Sequence, residues 1–271
     1  MTPQSSTLPY ASVGPLRPRT VTRVQTVTGS RMTAFRGLVW LTWHRNESLM
    51  SSSYIGAYWR RRAQSAEECA SQLHHFLKRI SLLDPSLERW FLTGTSRADP
   101  NRQVPIDTQD LRALLERGRN FRDFGGGVMD ELGFGFDVWN GATDSIGLGG
   151  SLGAYPPTDL IGNSVSLTLP PPELAPHLYE PAVAQHLMLA FVQEWTPVWA
   201  TWSSFDWVSN LHIVGDRPIA GWKTYVASTR WRYTRDVDIE RTVSGGDLIT
   251  MRGSFADVTM DELQRLQRLL R

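Results

Sequence analysis

A capping box followed by a long apolar stripe defines one amphipathic helix in this chain. Ser65 and Glu68 stand three residues apart, the spacing at which their side chains bond each other's backbone N–H groups. Apolar residues then recur at intervals of three and four, which is typical of a helix that buries one face. They are Ala66, Cys69, Ala70, Leu73, Phe76, Leu77, Ile80 and Leu83. This face must pack on other elements, and Cys69 is expected to be a buried small hydrophobe within it.

Alternating apolar residues predict strands on both sides of this helix. Tyr54, Gly56 and Tyr58 alternate with Ile55, Ala57 and Trp59 in the first strand, and 90–92 is expected to return towards it. Further strands are predicted at 134–139, 146–154, 164–169, around Trp199 and around Trp222, with a hairpin of 237–243 and 248–251. Helices are predicted to begin near Thr108, at Pro181 and after Thr259. This order predicts an α+β fold with a mixed or antiparallel sheet flanked by amphipathic helices.

The first 49 residues differ in composition from the rest. They hold six arginines against Glu47 alone, so that their net charge is +5 and residues 50–271 carry −4 of the whole-chain charge of +1. We expect 1–49 to be a disordered or non-native extension and Met50 to be the start codon, while an organelle transit peptide is the alternative. The remaining 50–271 are long enough for one domain.

Charge and composition also restrict the partners and the compartment. The mildly acidic 50–271 argues against a nucleic-acid-binding surface and favours a basic protein partner. No apolar run approaches the roughly 20 residues needed to cross a bilayer, and the single cysteine can form no internal disulfide. We therefore expect a cytoplasmic protein without a membrane partner.

Candidate catalytic and metal motifs are weak. Gly149–Gly153 matches the G-x-S-x-G pattern of a hydrolase, but a nucleophile elbow needs a helix directly after Ser151, and Tyr155-Pro156-Pro157 blocks one. A small serine hydrolase using Ser151 remains the alternative function, with a base from His177, His186 or His212. His74 and His75 are adjacent and lack metal-ligand spacing. We expect no cofactor, no metal and no catalytic residue.

Several segments together resemble the immunity protein 52 family. They are YIGAYW, SAEECASQLHHFL, DPSLERWF, ELGFGFDVWNG, NSVSLTLP, EWTPVWATWSS, GWKTYVAS and SGGDLITMRGSFADVTMDELQRLQRLL. The family consists of bacterial immunity proteins linked to polymorphic toxins and type VI secretion. The resemblance implies a single non-enzymatic α+β immunity domain, whose partner is a toxin encoded by a neighbouring gene and similar to nucleases with a restriction-endonuclease-like fold.

A toxin-binding surface would draw on exposed acids and aromatics, because a nuclease presents a cationic surface to the phosphate backbone. Trp207 and Trp139, each near an acid, have the pattern of such aromatics, although core packing is the commoner role of tryptophan. On charge and expected exposure, we predict that the toxin contacts Glu131, Asp137, Asn140, Asp144, Asp206 and Trp207.

Overall fold

The computed structural model describes residues 52–93, 102–122, 126–158, 160–213, 215–227 and 237–270. The expectations for 1–49 and for Met50 lie outside these ranges. The five α-helices of the described residues are α1 Ala66–Ser81, α2 Thr108–Arg117, α3 Pro181–Trp195, α4 Phe205–Asn210 and α5 Met260–Leu269. The ten strands are β1 Ser53–Arg60, β2 Trp90–Leu92, β3 Gln103–Val104, β4 Phe134–Trp139, β5 Gly147–Leu152, β6 Ile161–Leu169, β7 Trp199–Ser204, β8 Lys223–Val226, β9 Val237–Arg241 and β10 Asp247–Met251.

The strands form one sheet in the order β3-β2-β4-β5-β6-β1-β7-β8-β10-β9. Every pairing in it is antiparallel. The first strand of the chain therefore lies inside the sheet, between β6 and β7. Sheet and helices together give the α+β class that the sequence predicts.

One face of the sheet is covered by α1, α2 and α3. Helix α3 packs on β1 and β7, α1 packs between α2 and α3, and α2 reaches β4. Large aromatic side chains fill the contact, since Trp59 of β1 stacks on Trp195 of α3 with ring centroids 5.5 Å apart. Phe76 of α1 meets Phe191 at 4.8 Å. Each of these four side chains is at most 2% exposed, so they form the dry centre of the core.

Local signals place the helix starts where the sequence predicts them. The Ser65 hydroxyl accepts a hydrogen bond from the Glu68 N–H, and the Glu68 carboxylate accepts one from the Ser65 N–H at 2.7 Å. Thr259 and Glu262 repeat the arrangement at the start of α5. Asp107 caps α2 by accepting from the Asp110 N–H. These bonds satisfy N–H groups that the first helical turn leaves without a partner.

The expected return of Trp90–Leu92 towards the first strand is wrong. Strand β2 pairs with β3 and β4, and β4, β5 and β6 separate it from β1. The buried indole of Trp90 donates instead to the Leu87 carbonyl at 3.2 Å. The three strands that separate β2 from β1 come from residues 134–169, later in the chain than either strand.

Candidate functional site

The second face of the sheet is open where it crosses β4, β5 and β6. Side chains alternate between faces along a strand, and Phe136, Val138 and Leu148 point to the helices. The residues between them turn the other way: Asp137 is exposed, Ser164 and Thr168 are buried, and the others are half-buried. We call this surface the open face and define it by Gly135, Asp137, Trp139, Gly147, Gly149, Ser151, Ser164, Ser166 and Thr168.

Towards β1 and β7 the same side of the sheet is covered. Tyr54 of β1 stacks on Phe205 of α4 with centroids 5.0 Å apart. Ser203 of β7 donates its hydroxyl to the Ala220 carbonyl at 3.4 Å, and the Trp199 indole donates to the Asp216 carbonyl at 3.2 Å. Helix α4 and the loop before β8 therefore form a wall along one side of the open face.

Four of the six predicted contact residues lie at one end of the sheet. The turn between β4 and β5 holds Asn140 and Asp144, and α4, which follows β7, holds Asp206 and Trp207. The strand register places Gly147 beside Thr168 and Thr168 beside Tyr54, so this turn and α4 project from the same end. Asp144 and Asp206 are exposed. We call this end the acidic end.

The other two predicted residues lie elsewhere. Asp137 is exposed in β4, on the open face and two residues from the acidic end. Its Oδ1 lies 3.2 Å from the position that a Cβ on Gly149 would take. Glu131 is half-buried in the short 3-10 turn before β4, at the opposite end of the sheet. Asp137 and Asp144 thus lie on or next to β4, Asp206 lies at the same end of the sheet but four strand spacings away, about 19 Å, and Glu131 lies at the opposite end.

The expectation that Asn140 is exposed is wrong. Its side chain is 9% exposed, and its Oδ1 accepts from the N–H groups of Ala142 and Ile146 at 3.3 and 3.0 Å. Asparagine often closes a turn by such bonds to its own backbone neighbourhood. Asn140 therefore holds the turn that presents Asp144.

The two tryptophans considered as interface anchors are half-buried. Trp207 stacks on Phe255 with centroids 4.5 Å apart, and its backbone N–H is capped by the Ser204 hydroxyl. Trp139 lies on the open face, where its indole donates to the Leu92 carbonyl at 3.3 Å. Both rings are fixed by these contacts while part of each stays accessible. A fixed aromatic loses little side-chain entropy when a partner covers it.

Ser151 does not occupy a nucleophile elbow. It lies within β5, paired with Gly135 on one side and Ser164 on the other. A hydrolase serine needs a sharp turn from strand to helix and a histidine base. Among the described residues no hydrogen bond joins Ser151 to a histidine, and His177 contacts Asp84 instead, at 3.0 Å. Four residues of the Gly-rich motif, 149–152, belong to strand β5, and Gly153 follows it with a φ of +71°.

The single cysteine belongs to the core. Cys69 is fully buried on the inner side of α1. Burial raises the pKa of its thiol to about 12, and the nearby Glu68 carboxylate adds to the shift. Since the thiolate is the reactive form, Cys69 acts as a small hydrophobe, as the apolar stripe predicts.

Lys223 is the buried cation that the sequence analysis did not identify. It is 3% exposed in β8, on the helix-covered face. Its ammonium donates to Gln185 Oε1 of α3 at 3.1 Å and to Thr250 Oγ1 at 3.4 Å, and lies 5.0 Å from the centroid of the Trp222 ring. Gln185 in turn donates to Glu240. Burial lowers the pKa of Lys223 to about 8, and the Glu240 charge offsets only part of this.

Replacing Lys223 with Met is expected to stabilise the protein at pH 7. Between pH 8 and the ordinary lysine pKa of 10.5, the unfolded state binds more protons than the folded state. The free-energy penalty for burying the charged lysine is therefore complete below pH 8. It decreases as the pH rises from 8 to 10.5. We expect Lys223→Met to raise the free energy of unfolding by about 1–2 kcal/mol at pH 7 and to lose this gain by about pH 10. Urea unfolding at several pH values measures both, with Lys78→Met on the exposed side of α1 as the control. A destabilised Lys223→Met at pH 7 would show that the ammonium contributes net stability.

Metal-binding clusters and membrane-spanning helices are both absent from the described residues. No group of three or more His, Cys, Asp or Glu side chains within them is placed to hold a metal. None of their helices is long and apolar enough to cross a bilayer.

Comparison with known proteins identifies the family. The sequence model of immunity protein 52 matches residues 51–261, which is most of the chain. The chain belongs to the immunity protein 52 family. The match covers the open face, the acidic end and the whole of β1 to β10. Membership gives the protein an immunity role and implies a toxin as its partner.

Other comparisons add less to this assignment. No curated protein matches the chain. Among solved structures, a T6SS protein of Pseudomonas aeruginosa is similar, with a TM-score of 0.48 and 12% sequence identity. The similarity covers 82% of this immunity protein 52 chain and 74% of the other chain.

Proposed function

We propose that this immunity protein binds and neutralises a nuclease toxin, encoded by a neighbouring gene, by covering the toxin's nucleic-acid-binding surface. It acts in the cytoplasm and without chemistry of its own. The function is assigned to residues 50–271 as one immunity domain. The observation that carries the nuclease proposal is the acidic end, where Asp144 and Asp206 are both exposed at the same end of the sheet.

The physical basis is charge complementarity. A nuclease must present Lys and Arg to the phosphate backbone, and acidic groups on an inhibitor compete for those same cations. Residues 50–271 carry a net charge of −4, which steers a basic partner towards them. Asp137 extends the acidic end onto the open face, where Trp139 is half-buried and available as an anchor.

Inhibition by covering requires a stable contact of ordinary size. An interface of about 1,600 Å² in total is typical of such complexes, and a few fixed aromatic side chains supply most of its affinity. The acidic end and the open face together present the rigid aromatic and acidic groups for this purpose. No covalent step is needed, so inhibition should be complete at one protein per toxin.

Co-expression with the neighbouring toxin gene tests this proposal. We expect the full chain to restore growth of cells that express the toxin, to co-purify with it, and to stop its cleavage of plasmid DNA at a one-to-one ratio. Expression of 50–271 alone is expected to protect equally. A toxin that co-purifies but leaves DNA and RNA intact when free would contradict the nuclease part, and absence of both protection and binding would contradict the proposal as a whole.

A further inference from the structure

The centre of the open face has very small side chains. Gly147 and Gly149 of β5 lie beside Ser166 and Thr168 of β6, and Ser151 lies beside Ser164. Glycine within a strand often marks a place where another chain approaches the sheet closely. From β4 to β1 the surface spans three strand spacings, about 14 Å, which is slightly more than the diameter of one α-helix with its side chains.

A buried hydroxyl on this face has no hydrogen-bond partner. Thr168 is 8% exposed, and its Oγ1 bonds no other group of the described residues. The Thr168 Cβ lies 4.0 Å from the position that a Cβ on Gly147 would take, so Thr168 lies directly beside the glycines of β5. Tyr54 of β1, which pairs with Thr168, is fully buried beside it. Leaving such groups without a bond costs about 1–3 kcal/mol, which a bound polar group can recover.

The charges around this surface select its occupant. Asp137 is the charged member of the open face, and Asp144 and Asp206 stand at the acidic end next to it. Two cations lie around it: Arg60 at the far end of β1, and the exposed Arg89, two residues before Phe91, which pairs with Trp139. Half-buried Trp139 provides a flat aromatic side wall. The surface therefore fits a segment that carries lysine or arginine and that can lie close to the sheet.

From these features we infer that the toxin inserts a cationic segment, a short helix or an extended strand, onto the Gly/Ser surface formed by Gly147, Gly149 and Ser166. The segment's basic side chains pair with Asp137 and the acidic end, and its backbone lies over the glycines. A polar group of the segment bonds Thr168. The inference rests on the proposed function and names the part of the immunity protein that forms the centre of the interface.

Variants that fill this surface test the inference. A Cβ on Gly147 would find its nearest neighbour at 4.0 Å, so Gly147→Gln adds volume there without a clash at the Cβ, and Ser166→Gln adds volume at the half-buried residue of the neighbouring strand. We expect each to raise the Kd for the purified toxin of the neighbouring gene by at least about tenfold, while the melting temperature changes little. Ala113→Gln, exposed on α2, is the matched control and should bind as wild type.

Thr168→Val separates binding from folding. Removing a buried hydroxyl that has no partner should leave the fold as stable or make it more stable, whereas losing a bond to the toxin should raise the Kd about three- to tenfold. Unchanged binding by the filled variants and by Thr168→Val would overturn the inference and leave the proposed function intact. Absence of binding by the wild-type protein would overturn both.

Discussion

Cells that carry Asp144→Lys and Asp206→Lys together are expected to lose protection against the toxin. Each substitution replaces an attraction to a cationic surface with a repulsion, and like charges across an interface cost several kcal/mol. Since about 1.4 kcal/mol changes affinity tenfold, we expect the Kd to rise at least about 100-fold. Because Asp144 and Asp206 are exposed charges, most of the rise in Kd should come from a lower association rate constant, and this effect should depend strongly on salt concentration. Surface plasmon resonance at two ionic strengths, together with growth of the toxin-expressing cells, measures both effects.

The matched control for this pair is Glu67→Lys with Asp261→Lys. Glu67 and Asp261 are exposed acids at the second residue of α1 and α5, the same helix position that Asp206 has in α4. The control therefore changes the net charge equally, and it disturbs two helix starts where the test pair disturbs one, at a cost of about 0.3–1 kcal/mol per site. Equal loss of protection by both pairs would mean that overall charge, and not the acidic end, controls binding.

Gly133→Ala is expected to destabilise the fold by more than about 3 kcal/mol. Gly133 enters β4 with φ +64° and ψ −144°, a conformation open almost only to glycine. A Cβ there would also lie 2.1 Å from the Leu152 carbonyl oxygen and 2.6 Å from the Ala154 nitrogen, so the backbone itself would have to move. For a chain of this size we expect the melting temperature to fall by roughly 10 °C, which differential scanning calorimetry measures.

Gly215→Ala separates backbone strain from steric clash. Gly215 has a nearly identical φ of +62°, but a Cβ there would meet nothing within 4 Å. We expect a cost of about 1 kcal/mol, from the left-handed conformation alone. If Gly133→Ala costs no more than Gly215→Ala, the close approach of Gly133 to Leu152 is not needed for the fold.

The helices could be predicted from the sequence because their signals are local. The bonds between Ser65 and Glu68 and between Thr259 and Glu262 connect residues three apart, and the apolar stripes that follow specify the buried side. The order of the strands could not be predicted in this way. Antiparallel partners such as Ser53 and Leu169 are far apart in the chain, and the sequence of one strand does not specify which other strand it pairs with.

The candidate site was predictable only in part, for the same physical reason. An acid after a strand end indicates exposure, and this holds for Asp144 and Asp206. Asn140 has the same sequence context, yet its amide bonds two backbone N–H groups and turns inward. From the sequence, Lys223 is expected to be an ordinary surface lysine. Its burial depends on the tertiary contact with Gln185 of α3. Strand β8 is buried at all four of its positions, so alternation along it gave no signal for the burial of Lys223.

The position of β1 at the centre of the sheet has a consequence for the cell that makes this protein. Trp202 bonds the Ser53 hydroxyl across 149 residues of sequence, so β1 cannot gain its β7 neighbour until that much more chain has left the ribosome. At about 5–20 residues per second this takes on the order of ten seconds. A nascent chain that still lacks β7 and α4 therefore has no complete acidic end, and protection depends on the stock of molecules completed before a toxin arrives.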